Sequence, residues 1–160
     1  MFATADLYDA YEEALQVMQP GFLSFGRKTH FHGPVATVQA LEDNTHVKSV
    51  LSTDGEGRVL VVDGGGSLRC ALVGDNIAQL AIENGWAGVV VFGCIRDAAV
   101  IDQMDIGIRA LGTNPRKSVK RDGGVTDITL RIAGCVVEPG MYLYSDADGI
   151  VLSTTALRPA

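Results

Sequence analysis

The fold of this chain is decided by residues 58–97, which read RVLVVDGGGSLRCALVGDNIAQLAIENGWAGVVVFGCIRD. Two continuous apolar runs, 59–62 and 88–92, are typical of strands that are buried on both faces. Between them, Ile77, Leu80 and Ala81 recur at the spacing of a helix. Two such strands joined by a crossover helix most often form a parallel, right-handed unit. The stretch therefore predicts an α/β fold.

The polar residues of this unit lie where its strands end, which is where ligands bind in parallel sheets. The first strand is followed by Asp63-Gly64-Gly65-Gly66, and the second by Gly93-Cys94-Ile95-Arg96-Asp97. The crossover helix begins at Gly74-Asp75-Asn76-Ile77. We therefore expect an anion-binding helix start, an arginine and a carboxylate to be neighbours in space.

Length and composition predict one globular domain that spans residues 1–160, with 47% hydrophobic and 20% charged residues. No apolar run is long enough to cross a membrane, and the acidic, amphipathic first residues do not resemble a signal peptide, so we expect a cytoplasmic protein. The formal net charge of −6 argues against direct nucleic-acid binding. Cys70, Cys94 and Cys135 form no CxxC pair, which favours reduced thiols.

The remaining elements follow from periodicity and from turn residues. A first helix, capped by Thr4 or Asp6, is expected to extend through Leu15 and Met18 and to end at Pro20. A strand at 35–41, a short helix capped by Asn44, and a further helix through Val100, Ile101 and Met104 are also predicted. The expected later elements are a strand at 106–111, a basic loop at 114–124 and short β segments at 125–132, 135–137, 141–144 and 150–153, with a turn at 146–149.

Asp75 at the start of the crossover helix has two interpretations, which are compatible with each other. In the simpler one its carboxylate caps the helix by accepting a bond from an N–H two or three residues further on, which is worth about 1 kcal/mol. In the other, Gly74 lets a ligand approach while the free N–H groups of Asn76 and Ile77 bind its carboxylate or phosphate. Arg96-Asp97 is likewise either a surface ion pair or part of a cleft.

Three other features favour structural interpretations. The dinucleotide-binding fingerprint needs a glycine at position 69, where this chain has Arg69, so the three glycines predict a tight turn. His30 and His32 share a strand face but have no evident third metal ligand nearby. The four basic side chains of the loop at 114–124 most simply predict a solvated loop, with contact to an acidic partner as the alternative; they are Arg116, Lys117, Lys120 and Arg121.

The segment from Val59 to Asp97 resembles the family that joins the regulator of ribonuclease activity A to the class II 4-hydroxy-4-methyl-2-oxoglutarate aldolases. The resemblance spans nearly the whole chain, from the start TADLYD to the end YSDADGI. Its most specific part is an aspartate, twenty intervening residues, and then Arg-Asp, which here are Asp75, Arg96 and Asp97. Some regulator-type members lack the final aspartate, whereas this chain has it.

This resemblance implies a metal-dependent carbon–carbon lyase, with oxaloacetate decarboxylation as a second activity. Asp97 would ligate Mg²⁺ or Mn²⁺, and Arg96 would bind the 2-oxo acid substrate and its developing enolate oxygen. The backbone of Gly74, Asp75, Asn76 and Ile77 would bind the pyruvyl carboxylate, and Asp75 would orient or deprotonate a water. A Schiff-base mechanism needs a desolvated lysine, and none of the four lysines lies on an apolar strand.

The resemblance also implies a three-layer β/β/α sandwich of the swivelling-domain type, with a central parallel or mixed sheet and a β-rich C-terminal part. Family members form ring-shaped homotrimers with sites at subunit interfaces. Longer aldolases have a C-terminal extension that contributes a carboxylate across the interface, while this sequence ends at Ala160. Without that carboxylate, this chain would have weaker activity, or another of its residues would take the place of the carboxylate. The alternative function is inhibition of a ribonuclease E-type endonuclease by protein contact.

Overall fold

The computed structural model describes residues 1–158, so Pro159 and Ala160 of the predicted domain 1–160 lie outside the described residues. Four α-helices occur in this described range: α1 (Thr4–Tyr11), α2 (Thr45–Leu51), α3 (Asp75–Glu83) and α4 (Ala98–Ile101). The strands are β1 (Leu15–Val17), β2 (Leu23–Phe25), β3 (Phe31–Gln39), β4 (Val59–Asp63), β5 (Ala71–Val73), β6 (Gly88–Ile95), β7 (Ile108–Thr113), β8 (Val125–Thr126), β9 (Leu130–Ile132), β10 (Cys135–Val137), β11 (Tyr142–Ser145) and β12 (Ile150–Ser153). No helix within the described range has the length and apolarity that a bilayer span requires.

A mixed sheet organises the molecule, in the order β1-β12-β11-β3-β4-β6-β7-β2. Its centre is parallel, since β3 pairs with β4, β4 with β6, and β6 with β7 in the same direction. The flanking strands are antiparallel, and β9 and β10 form a separate hairpin. The predicted α/β class and the parallel strand–helix–strand unit are therefore confirmed.

Two hydrophobic cores lie on opposite faces of the central strands. On one face, Leu60, Val62 and Val91 pack with residues of the helices such as Val47 and Ile77. On the other face, strand residues pack with the β-rich C-terminal part; examples are Val59, Val61, Val90, Leu130, Val137 and Leu152. Alternate residues of each strand thus enter different cores. Helices, central sheet and β-rich part form the expected β/β/α layers.

The prediction for the first helix was wrong beyond Tyr11. Glu12 has a φ of 21°, a short 3₁₀ turn follows, and Leu15 begins β1. Because β1 pairs with β12, Leu15 opposite Ser153, pairing at the sheet edge overrides the helical spacing of the apolar residues.

The bounds of two strands also differ from those predicted. Strand β3 begins at Phe31 and ends at Gln39, instead of spanning 35–41, and β7 covers Ile108–Thr113 instead of 106–111. Helix α2 follows Asn44 as expected, but the Asn44 side chain makes no capping bond. The Asp43 carboxylate instead accepts the Thr45 N–H at 2.9 Å. The short strand β5 was not predicted.

Candidate active site

The unpredicted strand β5 places the start of α3 beside the end of β6. Strand β5 runs parallel to β6, with Val73 opposite Ile95. One residue further on, the Arg96 N–H donates to the Val73 carbonyl at 2.9 Å. Gly74 and Arg96 are therefore adjacent, and so are the two segments that follow them. The structure thus brings together the residues that the sequence predicts to be neighbours.

The Asp97 carboxylate lies against the amino end of α3. Its Oδ2 accepts a hydrogen bond from the Asp75 N–H at 3.1 Å, although the side chain is largely exposed. Asp97 itself adopts a left-handed backbone conformation, with φ 57° and ψ 36°, which aspartate tolerates better than most residues. Such a conformation is uncommon outside glycine and often occurs at functional sites.

The close approach of the Asp97 and Arg96 side chains to the start of α3 requires a glycine at position 74. A Cβ atom at Gly74 would lie 2.8 Å from the Asp97 Oδ2 and 3.5 Å from the Arg96 Nε. The helix start, the carboxylate and the guanidinium therefore share one small volume, which even a methyl group would disturb.

The capping interpretation of Asp75 needs correction. The N-cap position is Gly74, and Asp75 is the first residue of α3. The Asp75 Oδ1 accepts the N–H of the next residue, Asn76, at 2.8 Å, instead of an N–H two or three residues further on. The N–H groups of Asn76 and Ile77 were proposed to bind a ligand, and that of Asn76 is thus already hydrogen-bonded within the protein. The Ile77 N–H has no acceptor within residues 1–158.

Arg96 and Asp97 do not form the surface ion pair that was the alternative interpretation. Within residues 1–158, the Arg69 guanidinium pairs with Glu42, and the His46 Nε2 lies 3.5 Å from an Asp122 carboxylate oxygen. The half-buried Arg96 guanidinium lines a cavity together with Gly74, Asp75 and Asp97. Its charge is thus available to a ligand.

The cavity has a volume of about 180 Å³ and a second wall that the sequence did not reveal. This wall comes from the start of α2 and from the basic loop (residues 114–124); its residues are Asn44, Lys48, Lys117, Ser118 and Lys120. The prediction of a merely solvated loop was therefore incomplete. All three lysines are exposed, so none meets the desolvation that a Schiff-base lysine needs.

The electrostatic balance of the cavity differs from that of the whole chain. Four cations and two carboxylates line it, in a protein whose formal net charge is −6. A concave site with such an excess of positive charge concentrates small anions.

The available ligands suit a cation that keeps much of its water. No cluster of three or more His, Cys, Asp or Glu side chains that could hold a metal occurs within residues 1–158. Mg²⁺ is commonly bound through one or two carboxylates, with water and substrate oxygens completing its shell. Asp97, exposed at the cavity, fits that mode of binding, whereas a structural zinc site would need more protein ligands.

The other candidates have structural roles. The Asp63 Oδ1 accepts the Gly65 N–H at 2.8 Å, and Gly65 and Gly66 have φ of 68° and 71°, so the predicted tight turn is confirmed. The His32 ring stacks on Tyr144, and both His30 and His32 make T-shaped contacts with Phe2. The two histidines thus hold the amino terminus in place.

Gly74→Ala is expected to lower kcat/KM for the 2-oxo acid substrate that the resemblance implies about tenfold or more, because the new methyl group displaces Asp97 and Arg96. The Gly74 backbone, with φ −118°, suits alanine, so little stability should be lost. Gly112→Ala is the matched control, since its Cβ would meet only the Cys94 Sγ at 3.8 Å. Steady-state kinetics of both variants test this; equal activities would contradict the crowding argument.

Comparison with known proteins identifies close relatives along almost the entire chain. A protein of Alkalilimnicola ehrlichii named "Putative 4-hydroxy-4-methyl-2-oxoglutarate aldolase" is 53% identical over 157 residues, which cover 98% of both chains. Among solved structures, the RNA-processing inhibitor RraA of Thermus thermophilis is 43% identical with a TM-score of 0.94, covering 99% of this chain and 98% of that one.

A third relative has a different name. A Geobacillus kaustophilus crystal structure, described as an S-adenosylmethionine:2-dimethylmenaquinone methyltransferase, is 50% identical with a TM-score of 0.96 and covers 98% of this chain and 97% of that one. A sequence model of the RraA-like family, described as Aldolase/RraA, matches residues 4–152. On this match and these identities, the chain belongs to the RraA-like family.

Proposed function

We propose that this chain is a divalent-metal-dependent aldolase that cleaves 4-hydroxy-4-methyl-2-oxoglutarate to pyruvate and also decarboxylates oxaloacetate. The observation that carries the proposal is the Asp97 carboxylate beside Arg96 at the amino end of α3. The names of the relatives support the aldolase class.

The start of α3 binds the pyruvyl carboxylate of the substrate. The Ile77 N–H is free to donate, and the partial positive charge of a helix amino terminus favours an anion there. Arg96 provides a fixed positive charge on the same side of the cavity. Binding at this end directs the 2-oxo group of the substrate towards Arg96 and Asp97.

Asp97 is the residue that would hold the divalent cation. A bound Mg²⁺ or Mn²⁺ supplies Lewis acidity, which withdraws charge from the oxygens of the 2-oxo acid. Asp97 has the charge and exposure for this role. The same carboxylate accepts the Asp75 N–H, so a hydrogen bond joins the proposed metal ligand to the proposed acid/base residue.

Asp75 acts as acid/base through a water molecule. Cleavage of the C3–C4 bond begins when the 4-hydroxyl loses its proton to that water and Asp75. The bond electrons pass to the 2-oxo oxygen to form the enolate of pyruvate, and the other fragment leaves as a second pyruvate. The proton then returns to C3. Arg96 stabilises the negative charge that grows on the enolate oxygen.

Oxaloacetate decarboxylation uses the same residues, because loss of CO₂ from C3 leaves the same enolate of pyruvate. The size of the cavity is consistent with such ligands, since about 180 Å³ is below the roughly 300–1,000 Å³ of typical drug-sized ligand sites.

The experiment is a coupled assay of pyruvate release from both substrates. Purified protein is expected to turn over 4-hydroxy-4-methyl-2-oxoglutarate and oxaloacetate with Mg²⁺ and to lose both activities with excess chelator. Restoration by added Mg²⁺ excludes chelator damage. Turnover that is absent, or that is the same with and without metal, would refute the proposal.

A second function is favoured by the 43% identity to the Thermus protein described as an RNA-processing inhibitor. The acidic chain would then bind a ribonuclease E-type endonuclease through an outer surface and leave the cavity free. RNA cleavage by that nuclease at rising protein concentration, with a pull-down, separates the two functions. No complex and unchanged cleavage would exclude inhibition.

A further inference from the structure

The second wall of the cavity depends on a loop that forms no helix or strand of its own. Between β7 and β8 the chain forms the basic loop, which includes the cavity-lining Lys117, Ser118 and Lys120. Lysine side chains on such a loop act on a ligand only if the loop backbone is held in place. Strand β5 holds the first half of the loop, where the Ala71 N–H donates to the Arg116 carbonyl at 2.8 Å and Ala71 forms a β-bridge with Lys117. The second half, residues 118–123, is held by the turn between β3 and α2.

Asp43 is the centre of these contacts, although it is not among the residues that line the cavity. It is 4% exposed. Its Oδ2 accepts the N–H groups of Arg121 at 2.7 Å and Gly123 at 2.9 Å. Its Oδ1 accepts the Thr45 N–H at 2.9 Å and the Thr45 hydroxyl at 2.6 Å. One carboxylate therefore joins the start of α2 to the end of the basic loop.

Two further contacts align the loop along the same turn. The Asn44 N–H donates to the Ser118 Oγ at 3.2 Å, and the Val119 N–H donates to the Glu42 carbonyl at 3.2 Å. Burial raises the pKa of Asp43, but hydrogen bonds from Thr45, Gly123 and Arg121 outweigh it and hold that pKa well below its usual range. The carboxylate stays ionised, and bonds to a charged acceptor are the stronger kind.

We propose that Asp43 is a positioning residue, which holds the second half of the basic loop so that Lys120 faces the bound oxo acid. This inference rests on the proposed function for its substrate. Asp43 contacts neither substrate nor metal. It acts through the loop, and its loss should weaken substrate binding more than it slows the chemical step, because Asp75, Arg96 and Asp97 belong to the first wall and not to this loop.

Asp43→Asn tests the proposal. An asparagine oxygen can still accept from Thr45, but its NH₂ group then faces the two loop amides, which are also donors. We expect KM for oxaloacetate to rise about tenfold or more, the equivalent of one hydrogen bond to a charged group, while kcat changes less than about twofold. Trypsin cleavage after Lys120 and Arg121 should become faster.

Two control variants separate positioning from stability. Glu42→Gln makes the same charge change at the neighbouring residue, whose side chain binds Ser67 and Arg69 instead of the basic loop. Thr45→Val removes a bond to Asp43 from the α2 side and leaves the loop bonds intact. Both should keep the wild-type KM and the wild-type trypsin pattern in the loop, even where thermal unfolding shows lower stability. If Asp43→Asn does not fold, Asp43→Glu takes its place and should raise KM likewise.

The outcomes distinguish this inference from the proposed function. Faster cleavage of the loop with an unchanged KM, or an equal rise of KM in Glu42→Gln, would overturn the positioning role. If the wild type turns over neither substrate, the proposed function fails. The dissociation constant of oxalate, measured by calorimetry with Mg²⁺, then replaces KM; an equal affinity for wild type and Asp43→Asn would overturn the inference.

Discussion

Asp97→Ala is expected to lower kcat/KM for oxaloacetate at least about 1,000-fold, because the charge stabilisation supplied by a bound metal ion is worth several kcal/mol. Calorimetry with Mn²⁺ should show the loss of binding directly. The variant also loses the acceptor of the Asp75 N–H, so its free energy of unfolding should fall by about 1 kcal/mol.

Asp97→Asn separates these two effects. The asparagine oxygen can still accept from the Asp75 N–H, but it lacks the charge that a divalent cation needs. Near-wild-type stability with lost turnover is therefore expected. Asp105→Ala, at an exposed carboxylate outside the cavity lining, is the charge-matched control and should retain activity. Full activity of either Asp97 variant would exclude Asp97 as the metal ligand.

Arg96→Ala is expected to lower kcat about 100- to 1,000-fold, the range found when one donor to a developing oxyanion is removed. Arg96→Lys should have an intermediate effect, since lysine keeps the charge but not the planar, bidentate donor group. Metal binding should persist in both variants, as measured by Mn²⁺ calorimetry. Arg131→Ala, at an exposed position on β9 in another layer of the fold, is the control. A pure rise in KM would assign Arg96 to substrate binding alone.

The first wall of the cavity could be predicted because it depends on short-range patterns. Apolar strands, a helical spacing and polar residues at strand ends lie within 40 consecutive residues, and parallel pairing brings their ends to one edge. The position of Gly74 next to Asp97 also required β5. That strand has only three residues, too few for any periodicity to distinguish it from a loop.

The second wall could not be predicted, because its contacts join residues far apart in the chain. The Asn44 N–H meets a serine 74 positions away, and the two loop bonds of Asp43 span 78 and 80 positions. A sequence rich in Lys and Arg looks the same whether it is solvated or lines a cavity. Similarly, Leu15 has the spacing of a helical residue, and only its pairing with β12 determines its conformation.

The most direct test of the central claim is the exchange of pyruvate methyl protons for deuterium, followed by proton NMR in D₂O. This measurement detects formation of the enolate without depending on which aldol is the natural substrate. The wild-type protein with Mg²⁺ is predicted to remove the methyl signal, whereas protein with chelator and the Asp97→Ala variant should leave it near the uncatalysed rate. Equal exchange in all three samples would contradict a metal-dependent enolate site at Asp97 and Arg96.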